Sequence, residues 1–187
     1  MHKRAAAAWL IIWGVATAGV AQAAPGSGFA VFGGFASHNS SGKITKGALT
    51  GQTFSLSSSG LSIGGDYQFA LSDAVSLNLL LASSSESVSS DELAVDTTGH
   101  GILGVEGRLW FNELFIGAHF GNYSEVLIES SSGLSVSLSG FGTGFIVGWE
   151  SPEGLFLSGQ VDQAALTAAD AEADLSGVRV QIGYRWK

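Results

Sequence analysis

The chain has 187 residues, 45% of them hydrophobic and only 13% charged, with a net charge of −8. The acidic balance argues against nucleic acid as a partner, since that needs a basic patch. The absence of cysteine excludes a disulfide framework, thiol catalysis and thiolate metal sites, and 27 glycines are too many for a helical protein.

Mean hydropathy is +0.31, high for a water-soluble chain. Yet beyond residue 24 no apolar run approaches the roughly 20 residues of a spanning helix. The apolar residues sit instead at alternate positions, the distributed signature of a membrane β-barrel.

Residues 1–23 read as an export signal. Lys3 and Arg4 give a basic start, an apolar run follows with Trp9 and Trp13 at its centre, and Ala21 and Ala23 form a small-x-small cleavage site. The mature chain, 24–187, is expected to be one barrel.

The first strand is expected over 29–37, with an ambiguous register because Phe32 is out of phase with Phe29, Val31 and Phe35. A polar loop is expected over 38–53. The second strand runs to Leu71, with Leu61, Ile63, Tyr67 and Phe69 opposite Ser62, Asp66 and Gln68. After a turn at 72–74, Val75, Leu77, Leu79 and Leu81 alternate with Ser76 and Asn78 in the third strand. A Ser/Asp/Glu-rich loop is expected over 83–98. The fourth strand, about 99–111, sets Leu103, Val105, Leu109 and Phe111 against Glu106 and Arg108. Asn112 and Glu113 make a two-residue turn into the fifth strand, where Ile116, Ala118 and Phe120 oppose Gly117, His119 and Gly121.

A loop at 129–137 leads to the sixth strand, with Phe141, Thr143, Phe145, Val147 and Trp149 opposite four glycines and Glu150. A turn at 151–154 leads to the seventh, with Leu155, Leu157 and Val161 opposite Ser158, Gln160 and Asp162. An acidic loop at 167–174 precedes the last strand. There Val178, Val180, Ile182, Tyr184 and Trp186 share one face, and Arg179, Gln181 and Arg185 the other, because strand side chains switch sides at every residue.

Long and short connections alternate strictly, so the eight strands form an up-and-down meander with its short turns at one end. Eight is the smallest closed barrel of the outer-membrane type, in which short turns face the periplasm. Aromatic residues gather beside those turns: Phe69, Trp110, Phe111, Phe115, Trp149, Phe156, Tyr184 and Trp186. They are expected to form an interfacial belt.

The export signal, the alternating strands, the turns with their aromatics and the closing run from Val180 through Gln181, Ile182, Gly183, Tyr184 and Arg185 to Trp186 together resemble the small outer-membrane β-barrel proteins of the OmpA/OmpX/opacity type. The resemblance is one of pattern and spans essentially the whole mature chain. It implies an all-β, eight-stranded antiparallel transmembrane barrel in the bacterial outer membrane, monomeric and surrounded by outer-membrane lipid. It also implies delivery by periplasmic chaperones and insertion by the barrel assembly machinery. In that family a terminal aromatic residue marks the last strand for assembly. Tyr184 and Trp186 are the corresponding residues here, with Lys187 following.

The inward face carries Asp66, Glu106, Arg108, His119, Glu150, Asp162, Arg179 and Arg185. An eight-stranded barrel is only wide enough for side chains to fill it, and an isolated buried charge is costly. These residues are therefore expected to form an ion-paired lumen network. Glu106, Asp162 and Arg179 group near mid-barrel, and Glu150 with Arg185 near the periplasmic rim.

A structural or surface-interaction role without catalysis follows. Inward glycines such as Gly140, Gly142 and Gly144 leave space, so a narrow pore for small solutes is one alternative. A lipid A-modifying enzyme is another. The acyltransferase type of such barrels uses a His in the first outer loop with an Asp and a Ser in the second, and this chain has His38 in the first with Ser89, Ser90 and Asp91 in the second. The deacylase type uses a His-x-Ser pair with a nearby Glu, which His119, Phe120 and Gly121 do not supply. No cofactor is expected, and His38, His100 and His119 lie on different elements without metal-ligand spacing.

Overall fold

The computed structural model describes residues 25–46, 50–89, 95–129 and 134–187. The export signal at 1–23 lies outside them. Eight strands follow in order: β1 (Gly28–Ile44), β2 (Thr53–Ser72), β3 (Val75–Ser89), β4 (Thr97–Phe111), β5 (Leu114–Glu129), β6 (Leu134–Glu150), β7 (Leu155–Thr167) and β8 (Ala171–Trp186). Each pairs antiparallel with the next, and β1 pairs with β8 from Phe29↔Trp186 to Ile44↔Ala171, so the sheet closes. Closure satisfies every strand edge internally, which is what allows a sheet to sit in hydrocarbon. At the β4–β5 hairpin Asn112 adopts φ 59°, a left-handed conformation that asparagine tolerates in a tight turn.

The two solvents are sorted as the alternation predicts. On β8, Val180, Ile182 and Trp186 are 57, 57 and 55% exposed, whereas Arg179 and Arg185 are 4 and 0% exposed. Leucine, isoleucine, valine and phenylalanine cover the outside of the other strands in the same way.

The register of β1 is regular after all. Phe29, Val31 and Phe35 face out, while Phe32 points into the lumen and packs edge to face on Phe156 with ring centroids 6.2 Å apart. Gly64 and Gly183 make room for these two rings, since a methyl group on either would overlap them.

Two expectations need correction. The first concerns the aromatic belt. Trp110, Phe115 and Phe156 are buried inside the barrel, and the outward belt near the turns is instead Phe29, Tyr67, Phe69, Trp149, Tyr184 and Trp186. Trp110 and Phe115 pack on each other at 4.9 Å, and the Trp110 indole N–H donates to Ser76 Oγ at 2.9 Å. The second concerns the outer loops, expected over 38–53, 83–98, 129–137 and 167–174. β1 and β3 run on to Ile44 and Ser89, and β6 and β8 already begin at Leu134 and Ala171. Polar residues there alternate as strictly as apolar ones do below: His38, Ser40, Ser84 and Glu86 point in, and Asn39, Ser83, Ser85 and Ser87 point out. A serine-rich stretch looks like a loop by composition, but hydrogen bonds inside the barrel hold it as strand.

Candidate functional site

Among the described residues, the lumen is where the fold collects its buried charged side chains. It is built in layers. Nearest the short turns, Arg185 at the end of β8 bonds Asp66 of β2 at 2.6 Å and Glu150 of β6 at 3.1 Å, and donates to the Gly28 carbonyl at 3.3 Å. Its guanidinium lies over the Phe156 ring. Arg108 of β4 joins the same cluster through Asp66 at 3.1 Å and Glu106, and lies over Phe115 at 4.6 Å. Lys187 reaches Glu150 at 3.1 Å.

The next layer centres on Asp162 of β7. Arg179 grips one oxygen through two nitrogens at 2.7 and 3.0 Å. The other oxygen meets His119 at 2.9 Å, the Tyr123 hydroxyl at 3.0 Å and the Gln160 amide at 2.9 Å. Glu106 Oε2 faces His119 Nδ1 at 3.8 Å, beyond hydrogen-bond reach. All eight predicted lumen residues thus belong to these two layers, each with a counter-charge within 4 Å. Buried charges paired in this way avoid the desolvation cost of an isolated ion.

A third layer lies toward the outer end and involves residues whose polar surroundings read as loop in the sequence. Glu86 of β3 receives His38 Nδ1 at 2.7 Å, the Ser58 hydroxyl at 2.7 Å and the Ser84 hydroxyl. His100 Nε2 stands 3.7 Å from Glu86, and the rings of His38 and His100 stack at 4.2 Å. Glu125 of β5 accepts from Ser40 Oγ at 2.9 Å. The signal was present, because positions 84 and 86 continue the inward parity of Ser76 and Asn78. Strand pairing brings together His38 and His100, which sequence spacing kept apart. Apolar side chains close over this layer: Phe54, Leu56, Leu127, Leu138, Leu166 and Leu175 all point inward.

Neither enzyme pattern is assembled among the described residues. His38 and Ser40 are buried in the lumen rather than lying in an outer loop. Ser40 donates to Glu125 at 2.9 Å and Ser58 to Glu86 at 2.7 Å, while the contact of Ser58 with His100 is long, at 3.5 Å, so neither hydroxyl is gripped by a histidine as a base-activated nucleophile would be. Ser89 ends β3, and Ser90 and Asp91 fall outside the described residues. On the outer wall Lys43 and Glu172 form an exposed pair at 2.6 Å; the hydrogen bond and the charge of Glu172 raise the lysine pKa.

No family model matches the chain, and no curated protein matches it in sequence. Solved structures do match in fold. Neisserial surface protein A (NspA) aligns with a TM-score of 0.54 and 11% identity, over 87% of this chain and 100% of that one. The attachment invasion locus protein Ail of Yersinia pestis aligns with a TM-score of 0.52 and 12% identity, over 86 and 100%. The outer membrane protein OprG of Pseudomonas aeruginosa aligns with a TM-score of 0.51 and 15% identity, over 88 and 98%. At these identities the likeness is one of fold. The chain has the fold of these outer-membrane barrels: a closed, eight-stranded antiparallel barrel with an apolar exterior and a charged, paired interior.

Proposed function

We propose that the protein is a closed, non-conducting barrel that carries a serine-rich outer wall above the membrane as a structural or surface-contact element, without catalysis. The filled lumen carries this reading. Gln68, Asn78, Phe115 and Arg185 have no exposed surface, and Phe32 packs on Phe156 between the charged layers. A path for ions would have to break several buried ion pairs at once. Among the described residues the strand wall itself offers the contact surface, with Ser55, Ser57, Ser59, Ser83, Ser85 and Ser87 outward.

In this reading residues 1–23 are removed on export, periplasmic chaperones carry the chain, and the assembly machinery takes up β8 through Tyr184 and Trp186. The barrel then sits in outer-membrane lipid as a monomer. Reconstitution in planar lipid bilayers tests the closed state. The expected record shows no discrete current steps, whereas reproducible single-channel openings would favour a small-solute pore instead. Lipid A from cells with and without the protein is expected to have the same mass.

A further inference from the structure

We infer that the outer layer of the lumen is a divalent-metal site in which His38, Glu86 and His100 bind Zn²⁺. Each comes from a different strand, β1, β3 and β4, and one ligand atom from each lies within 4.8 Å of the others. All three are buried. Two imidazoles and one carboxylate are a donor set that zinc and its neighbours in the first transition row accept, whereas magnesium and calcium prefer all-oxygen sites.

Charge accounting points the same way. In the two layers nearer the turns, each carboxylate meets a guanidinium. The outer layer holds two buried carboxylates, Glu86 and Glu125, and among the described residues neither is paired with lysine or arginine. The groups on Glu86 are the two histidines and the hydroxyls of Ser58 and Ser84, and Glu125 takes the hydroxyl of Ser40. One Zn²⁺ with neutral imidazoles would cancel both negative charges. His100 Nδ1, moreover, has no hydrogen-bond partner although it is buried.

The surroundings are shaped for this cluster. Gly177 of β8 lies against the His38 ring, and any Cβ there would overlap the imidazole. Ser58 Oγ stands 2.7 Å from Glu86 and 3.5 Å from His100 Nε2, beside the place a fourth ligand or water would take. The apolar residues above exclude bulk water, which strengthens coordination inside. As it stands, His38 Nδ1 shares a proton with Glu86 at 2.7 Å. A metal on Nδ1 would take the place of that hydrogen bond, the single ring proton of the neutral imidazole would sit on Nε2, and the two side chains would separate slightly.

The test uses full-length protein refolded in detergent after treatment with EDTA. Metal is supplied both during refolding and afterwards, because the site is enclosed. Co²⁺ serves as the optical probe and Zn²⁺ as the competitor. One equivalent of Co²⁺ with visible ligand-field bands, displaced by Zn²⁺, is expected, and Zn²⁺ should raise the unfolding temperature. His100→Gln and Glu86→Gln should each weaken binding by at least about 100-fold, the upper range seen when even outer partners of metal ligands are removed. Asn39→Ala, an outward neighbour, should bind as the parent does. Should those variants fail to close, X-ray absorption on the Zn²⁺-loaded parent decides, with two imidazoles and one carboxylate expected. Less than about a tenth of an equivalent bound, binding untouched by His100→Gln, or an absorption spectrum without imidazole scattering would each overturn the site. None of these outcomes bears on whether the barrel conducts, so this inference and the closed-barrel reading fail separately.

Discussion

Arg185 is the side chain on which the inner network turns, and replacing it with methionine isolates its charge from its bulk. The substitution keeps an unbranched apolar side chain against Phe156 while removing the bonds to Asp66 and Glu150. Breaking a buried pair by deleting one partner costs about 3–5 kcal/mol, because the other charge stays buried. Here Asp66 keeps Arg108 at 3.1 Å and Glu150 keeps Lys187 at 3.1 Å. The lower end, about 3 kcal/mol, is therefore expected. At a urea slope of about 2 kcal/mol/M this lowers the unfolding midpoint by about 1.5 M. Arg179→Met should cost less, about 2 kcal/mol, since Asp162 retains His119, Tyr123 and Gln160. The assay is equilibrium unfolding in lipid vesicles, read by tryptophan fluorescence and by the gel-mobility shift of the closed barrel. An Arg185→Met stability within about 0.5 kcal/mol of the parent, the range of an ordinary surface change, would mean that water already screens these charges. The filled-lumen argument would then fail with it.

Two other sets of substitutions separate the faces and layers of the barrel, and a mass measurement tests the export signal. Val180→Arg and Leu79→Arg place charge in the exposed apolar band and should each cost about 2–4 kcal/mol in vesicles, whereas Ser85→Arg, outward but beyond the band, should be nearly neutral; equal effects at the three sites would contradict the assigned membrane position. Gly144→Ala puts a methyl group into the His119 ring and the Val161 carbonyl, so it should displace His119 from Asp162 and lower stability, while Gly107→Ala meets nothing within 4 Å and should be silent. Histidine ring NMR of the two variants would show the difference, and an unmoved His119 signal in Gly144→Ala would count against the close packing of that ring on β6. Mass spectrometry of the mature protein should find Ala24 as the first residue; a retained 1–23 segment would refute the export reading.

The membrane half of the fold was legible because its code is two-letter and local. On β8 five outward apolar residues alternate with Arg179, Gln181 and Arg185, and both the face and the solvent follow from parity alone. The charged set was legible for the same reason: an ionic residue inside an otherwise apolar alternation has only the lumen to occupy. Partners were not legible. Arg185 finds Asp66 across 119 positions because β8 closes on β1 and β1 pairs with β2, a consequence of register rather than of spacing. The belt expectation fails at three aromatics because proximity to a turn says nothing of face. Phe115 and Phe156 follow leucines that take the outward position, which parity alone shows. The outer layer is hidden because His38, Ser84 and Glu86 lie in polar stretches, where alternation of polar with polar leaves no hydropathy signal.

That missing signal has a physical cause, which is an exchange of solvents along the strands. On β2 the outward residues change from Leu61 and Ile63 to Ser59, Ser57 and Ser55, while the inward ones change from Asp66 and Gln68 to Leu56 and Phe54. On β8 the outward face passes from Val178 to Ser176 and Asp174, and the inward face from Arg179 to Leu175 and Ala173. The changes fall in register: Phe35 pairs with both Leu61 and Val180, and Ser37 with Ser59 on one side and Val178 on the other. From Val178 to Trp186 the apolar face spans about 26 Å of strand, or about 20 Å of depth at a tilt of ~40°, close to the apolar band of such barrels. Beyond that line the same sheet is built like a water-soluble barrel, greasy inside and hydroxyl-rich outside. The hydrocarbon boundary must therefore lie at this line, since on either side of it the opposite placement would bury serine in lipid or expose leucine to water. The His38, Glu86 and His100 layer sits just above the boundary, capped by the apolar interior of the outer part. Among the described residues its buried carboxylates meet none of the arginines that pair those of the inner part, which is why a bound cation suits that level of the barrel.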